Sequence, residues 1–406
     1  MKKMKKITAL LLAFALILAL SACSKAPAED HDATPPATTV ESSDNNAQTE
    51  TAKDSNADAA SYEWPMVGSV ENVKIVEQEP EKPLRFAFLG YSNNSYWDMI
   101  YQGIDSAAEF LGQHNVTIEK INLGTAIGAE VMNNALEACM LEGYDGIIAT
   151  VFVSGCENYI NQCVANGIPV GIIGGEGGES DRAFVLAADP MTKSTLAAEL
   201  VDEKLGGNGG KFATIVAQFS MEVTEKGRNN FINILESKGY ECVGSYEAHD
   251  SADECYALTE QILTANPDIG AIYCQSGGVY GMAKAVADAD RVGEVYLVGH
   301  DETPENLVYV RDGVMTVIGQ NPSGYAFDAF MLMYNIVVAG QYPAEKIIAV
   351  AEPVVSPDNV NELFPEKTYD TLIEMMIEGN SSMVIISDES VIAAYDRIGM
   401  PRGRRS

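Results

Sequence analysis

From Leu84 onward the chain alternates short apolar runs with amphipathic stretches, and this alternation constrains the fold more than any other feature. Runs at 85–89, 117–121, 146–151 and 169–173 read as strands. Stretches at 98–112, 129–142 and 157–166 read as helices; in the first, Ile100, Ile104, Ala108 and Leu111 share one face at helical spacing. Strands this apolar, each separated from the next by one helix, require a parallel sheet covered on both faces. A second series follows Asp189, with helices at 192–204, 223–238, 252–265 and 278–287 alternating with strands at 212–217, 242–247, 269–275 and 295–300. A strand at 316–319, a helix at 323–339 and a strand at 347–350 complete it. The expected fold class is therefore α/β, with two doubly wound parallel-sheet lobes. Each presents a binding edge at the carboxyl ends of its strands.

The beginning of the chain points to a location. Lys2, Lys3, Lys5 and Lys6 precede an apolar run over 7–20, which ends in Leu20-Ser21-Ala22-Cys23. The run is short for a bilayer span and ends in small residues, so residues 1–22 read as a cleaved export signal. The last four residues resemble a lipobox, in which Cys23 is lipidated and becomes the new N-terminus. Two or more acyl chains anchor stably, at roughly 0.8 kcal/mol per buried CH₂. The expected location is extracytoplasmic, with the lipid on Cys23 as the only membrane contact. Residues 23–61 are rich in Ala, Asp, Thr, Ser, Pro and Glu and read as a flexible acidic stalk. Of the mixed stretch that follows, Trp64, Val67 and Val70 are expected to pack on the fold.

Charge excludes some roles. The chain carries 26 basic and 58 acidic residues, net −32; without the four leader lysines the balance is 22 against 58, or −36. Such a charge repels nucleic acid and keeps the protein off anionic surfaces. Beyond Cys23 there are six cysteines: Cys139, Cys156, Cys163, Cys242, Cys255 and Cys274. They form no dense framework and are expected to be buried free thiols. Cys156 and Cys163 would lie about 10 Å apart along one helix, too far to bridge. Cys242 with Cys255 is the one pair whose bridging stays open. There is no CxxC motif and there are only four His, so neither a metal site nor a cofactor is expected. No GxSxG elbow, Walker loop, HExxH or dinucleotide fingerprint follows a strand, so the chain does not read as an enzyme. The Gly-rich runs at 206–210 and 174–179 have the wrong order or spacing to cradle phosphate.

Five segments, in order along the chain, carry a resemblance. FLGYSNNSYWDMIYQG at 88–103 resembles a first strand with its aromatic loop, and ILTANPDIGAIYCQS at 262–276 a helix and strand joined by an Asn-Pro-Asp turn. VYLVGHDETPE at 295–305 resembles a strand ending in an acidic residue, TVIGQNPSGYAFDA at 316–329 a strand crossing back between lobes, and VVSPDNVNELF a domain end. Over about 84–364 the chain resembles the type I periplasmic binding proteins, in the ribose-like, sugar-binding branch related to the ligand domains of the lactose-repressor family. The resemblance implies a three-crossover hinge, with crossings near 188–190, 320–322 and 349–352. Lobe one would then be 84–188 plus 321–349, lobe two 189–320 plus 350–356, and residues 357–406 a C-terminal extension without an assigned role. It further implies a monomeric substrate-binding protein that captures a small polar ligand, a carbohydrate, in the cleft and delivers it to the permease of an ABC importer.

A sugar offers apolar C–H faces and a rim of hydroxyls; aromatic planes suit the first, carboxylates and amides the second. By resemblance Tyr96 and Trp97, on the loop after the first strand, are the paired aromatics, and Asn94 in that loop bonds hydroxyls or holds the local turn. Asp301 accepts hydroxyls or caps the helix beginning near Thr303. Gln320 is the amide of the inter-lobe strand, and Ser276 stands where Asn is usual. The chain also departs from the pattern. Gly174-Gly175-Glu176 stands where an Asp-Arg pair would chelate adjacent hydroxyls, and Glu225 and Gly227 stand where another Arg is expected. The acids Glu176, Glu222 and Asp250 are gained at the site or on its rim. These departures keep open a different polyol, a nucleoside, a furanone-like signal or a cationic solute, and disfavour an anionic one. A receptor feeding a sensor kinase or chemoreceptor is the alternative role.

Overall fold

A computed structural model describes residues 73–92 and 94–364. The expected leader, Cys23, the stalk, Trp64, Val67, Val70 and residues 365–406 lie outside the described residues. β1 (Leu84–Gly90) is apolar at nearly every position because it lies inside a sheet, paired in parallel with β2 (Val116–Asn122) and β3 (Gly146–Ala149). The helices α1 (Ser95–Gly112), α2 (Ala129–Glu142) and α3 (Glu157–Ala165) connect these strands and lead to β4 (Val170–Ile173) and β5 (Phe184–Ala187).

The chain then crosses to a second lobe. There α4 (Pro190–Lys204), β6 (Gly210–Val216), α5 (Glu222–Ser237), β7 (Tyr240–Glu247) and α6 (Ala252–Ala265) come first. They are followed by β8 (Ile269–Gln275), α7 (Val279–Asp288), β9 (Tyr296–His300), α8 (Pro304–Arg311) and β10 (Thr316–Ile318). A second crossing returns the chain to the first lobe as α9 (Pro322–Ala339) and β11 (Ile347–Ala349). A third brings it back as β12 (Val354–Val355) and α10 (Val360–Leu363).

The sheets run β11-β5-β4-β3-β1-β2 and β12-β10-β9-β8-β6-β7. The strand order reverses between β1 and β3 in one and between β6 and β8 in the other, so the two doubly wound lobes expected from the alternation are present, each with its switch point. Pairing is parallel except at one edge, where β12 returns antiparallel to β10. That strand arrives through the hinge rather than through a helix, so nothing forces it to run with its neighbours. The first lobe's core centres on α9, whose residues 322–336 are all buried against α1 and the sheet; Phe330 stacks on Phe86 with ring centroids 6.4 Å apart.

Two local expectations are corrected. Tyr96 and Trp97 are not on a loop: α1 starts at Ser95, because the Asn94 side chain accepts a hydrogen bond from the Tyr96 amide and caps the helix one turn earlier than the apolar spacing suggests. β5 is not evident from the apolar pattern, since its short run comes just after the charged Asp181-Arg182 and no helix separates it from β4. All six described cysteines are free. Cys255 lies 3.9 Å, sulfur to sulfur, from Cys274 rather than against Cys242.

Candidate ligand-binding site

The carboxyl ends of the strands of both lobes face one cavity of about 110 Å³, several times the ~10–15 Å³ that one water needs. The first lobe contributes Asn94, Tyr96 and Trp97 after β1, Phe152 after β3 and Gly174 after β4. The second contributes Lys193 on α4, Asp250 after β7, Gln275 and Ser276 at the end of β8, and His300 and Asp301 at the end of β9; Gln320 comes from the second crossing. All six residues singled out from the sequence therefore line one cavity.

Asp301 is held there by its backbone as much as by its side chain. It sits at φ 66°, a left-handed conformation that Asp tolerates better than most residues. The alternative role as helix cap falls to Thr303, whose hydroxyl accepts from the Asn306 amide at 3.4 Å. Asp301 Oδ1 accepts from Gln320 Nε2 at 2.6 Å and lies 3.8 Å from Lys193 Nζ. Burial raises the Asp301 pKa, against the opposing pull of Lys193 and Gln320.

Behind it Glu302, fully buried, accepts from the Gln320 amide at 3.0 Å and the Asn321 amide at 2.6 Å. The same pair of residues, Asp301 and Glu302, thus fixes both the side chain and the backbone of Gln320. Burial, then the neighbouring Asp301, push the Glu302 pKa up.

The third crossing adds Glu352, whose pKa burial raises to about 7 against the attraction of Lys193. A carboxyl raised from its ordinary 4.5 binds its proton more tightly in the folded state, so its stabilising contribution is complete below pH 4.5 and is lost as pH rises through about 7. Thermal melts between pH 4.5 and 8 should therefore show the native protein losing stability relative to Glu352→Gln, by at most about 1.4 kcal/mol per pH unit. A pH-independent difference would remove Glu352 as the titrating group.

The apolar wall is built from rings set edge to face. Trp97, only 2% exposed, packs against Tyr91, Tyr96 and Phe152 with centroids 5.4, 5.3 and 6.0 Å away. It supports the wall more than it faces the cavity. The Tyr96 hydroxyl is hydrogen-bonded to that of Tyr325, and burial raises both phenol pKa values.

On the other side Gln275 Nε2 donates to the Tyr273 hydroxyl at 2.7 Å, and that hydroxyl lies 2.6 Å from His300 Nε2. Burial, with Lys193 nearby, lowers the His300 pKa well below its ordinary value, which favours the neutral imidazole. Gln275 Oε1 is buried with no hydrogen-bond partner among the described residues.

The glycine departures are spatially coherent. A Cβ at Gly174 (φ 70°) would lie 2.8 Å from the Tyr96 hydroxyl, and one at Gly175 would overlap the Val151 carbonyl oxygen. A Cβ at Gly227 would lie 2.7 Å from Gln275 Nε2. Glycine at these places lets Tyr96 and Gln275 occupy space that longer side chains would fill. Arg228, one step on, is bound to Glu225 and turned away from the cavity.

The gained acids divide. Asp250 lines the cavity and accepts from the Gly277 amide at 2.7 Å, whereas Glu176 and Glu222 sit on the rim, both paired with Lys226 at 2.5 and 3.4 Å. Lys226–Glu176 spans the lobes, as do the Glu222 amide donating to the Phe152 carbonyl (3.3 Å), Ser95 donating to Glu305 (2.7 Å), and Asn94 packed against Gly277. The two lobes are closed over the cavity. The sequence reading missed Lys193, which on a mixed helix such as α4 looks like any solvated lysine, and Gln275, which looks like the end of a strand.

Two doubly wound lobes, hinged by three crossings and shut on a cavity at their switch points, define a two-lobed binding protein. A family model described as a periplasmic binding protein domain matches residues 86–341, and the chain belongs to that family. The D-allose-binding periplasmic protein of Escherichia coli is 30% identical over 167 residues, 40% of this chain and 53% of that protein, so the match spans about half of that relative's length. The ribose import binding protein of Salmonella typhimurium is 21% identical over 232 residues, 57% of this chain and 76% of that one. Among solved structures, a glucose-galactose binding protein from Geobacillus stearothermophilus superposes with a TM-score of 0.62 at 22% identity, covering 69% of this chain and 99% of the other. A solute binding protein from Actinobacillus succinogenes with bound D-allose superposes with a TM-score of 0.61 at 20% identity, covering 69% and 99%. At these identities the structural likenesses speak to the fold alone.

Proposed function

We propose that the chain captures a small neutral carbohydrate in the inter-lobe cleft, outside the cytoplasm, and delivers it to the permease of an ABC importer. Cys23 would carry the lipid that tethers it to the cell membrane. The observation that carries the reading is the pairing, in one cavity between the lobes, of a carboxylate–amide couple (Asp301 with Gln320) with the aromatic wall of Tyr96 and Phe152. This is the arrangement that a hydroxyl rim and an apolar sugar face require. Asn94, Tyr96, Ser276, Asp301 and Gln320 are the proposed contacts, with Trp97 backing Tyr96. Relatives named for D-allose and ribose support an aldose as the first candidate.

The test is a thermal-shift screen of the purified protein against D-allose, D-ribose, D-glucose and D-galactose, with a nucleoside and an amine as controls. A ligand at 100 times its dissociation constant should add about 2.7 kcal/mol to stability. Melting unmoved by every sugar but raised by a control would overturn the carbohydrate assignment.

A further inference from the structure

This inference rests on reading the cleft as a carbohydrate site and asks how the sugar is gripped. The charged side chains lining the cavity, Lys193, Asp250 and Asp301, all belong to the second lobe. The first lobe faces them with Asn94, aromatic and aliphatic side chains, and Gly174. Lys193 is 4% exposed, in the first turn of α4, with Nζ 3.8 Å from Asp301 Oδ1. That distance is too long for a direct hydrogen bond, so the ammonium does not spend its three N–H donors on Asp301, although the charges attract. Gln320 donates to Asp301 Oδ1, and Asp301 lines the cavity. Close by, Gln275 is 4% exposed and its Oε1 has no partner among the described residues. A donor, Lys193, and an acceptor, Asp301, both on the second lobe, therefore line the same cavity.

We propose that Lys193 contacts the ligand and sets its specificity. It acts with Asp301 as a donor–acceptor pair on two adjacent oxygens of a neutral sugar. Lys193 donates to a lone pair of one oxygen, and Asp301 accepts the proton of the neighbouring hydroxyl. Gly174 and Gly175, across the cleft, have no side chain with which to do this. The pair also defines the ligand class. One ammonium stands among the carboxylates Asp250 and Asp301, so the carboxylate of a sugar acid would meet net negative charge. The grip belongs to the second lobe, and the first closes over the sugar mainly as an apolar cover.

The test measures affinities by calorimetry for D-allose, D-glucose, the monodeoxy derivatives of D-glucose and D-glucuronate, in the native protein, Lys193→Met and Lys193→Arg. The native protein should bind one neutral aldose about 10- to 100-fold more tightly than one of the deoxy sugars, the range for a hydrogen bond to a charged group, and should bind D-glucuronate more weakly than D-glucose. Lys193→Met should lose that factor for the parent sugar and bind parent and deoxy sugar alike, with Lys193→Arg between. Lys193→Met paired with Glu352→Gln removes a facing carboxylate along with the ammonium, and keeps the measurement possible if the single variant unfolds. Parent-sugar affinity within twofold of native in these variants, or tighter binding of D-glucuronate than of D-glucose, overturns the inference and leaves the carbohydrate site standing. Failure of every sugar to bind the native protein overturns the carbohydrate reading itself, and the inference with it.

Discussion

Asp301→Ala is expected to weaken sugar binding at least about 100-fold while leaving the protein folded, because three dependencies meet at that side chain. Gln320 Nε2 loses its acceptor at 2.6 Å, Lys193 loses the carboxylate at 3.8 Å, and the ligand loses its hydroxyl acceptor. A hydrogen bond to a charged group is worth about 1.5–3 kcal/mol, and tenfold in affinity corresponds to about 1.4, so losing the ligand bond and the placement of Gln320 together exceeds two decades. Alanine at φ 66° adds a strain of about 1–2 kcal/mol that is independent of ligand. Asp301→Asn separates the two effects, since Asn tolerates that backbone and keeps an acceptor oxygen but not the charge. It should fall between native and alanine in affinity and match native in melting temperature. Calorimetric titration with the sugar identified by the screen reads the first quantity and thermal melts the second. An affinity of Asp301→Ala within threefold of native would remove Asp301 from the site.

The largest loss of stability is expected from Glu302→Ala. Glu302 never reaches the cavity, yet its carboxylate holds the backbone amides of Gln320 and Asn321 at 3.0 and 2.6 Å where the chain crosses between lobes. Both residues are buried, so each orphaned donor costs about 1–3 kcal/mol and the variant should lose about 2 kcal/mol or more. Glu302→Gln keeps one acceptor oxygen and should lose about half. Urea unfolding followed by circular dichroism measures both. A loss below 1 kcal/mol for the alanine variant would mean that the crossing is held by other contacts.

The sequence disclosed the architecture because the architecture is written in period. Alternating apolar runs and 3.6-residue spacing must be present wherever a covered parallel sheet forms, and α6 and β8 fall where that spacing puts them. Two elements escape this logic. β12 has only two residues and β5 comes just after the charged Asp181-Arg182, so neither stands out as an apolar run. Site residues followed the same division. Asn94, Tyr96, Asp301 and Gln320 stand beside strand ends within recognisable motifs. Lys193 lies on a mixed helix, and only the folded chain shows that this position lines the cavity beside Asp301. For Glu176 and Glu222 the sequence left site and rim both open, since it gives the sign of a charge but not the lysine it meets.

The helix α9 has a consequence for how the chain is made. It supplies the centre of the first lobe, but it is synthesised only after all of the second lobe except the edge strand β12 and α10. The first five strands therefore emerge without the surface they are built to bury, and nothing downstream of β5 can repair this until residue 336 is available. A domain that completes itself so late cannot fold stepwise from its N-terminus, as consecutive domains do. The second lobe, whose helices and strands are nearly contiguous, is free to consolidate first and to serve as the platform on which the older part of the chain is finished.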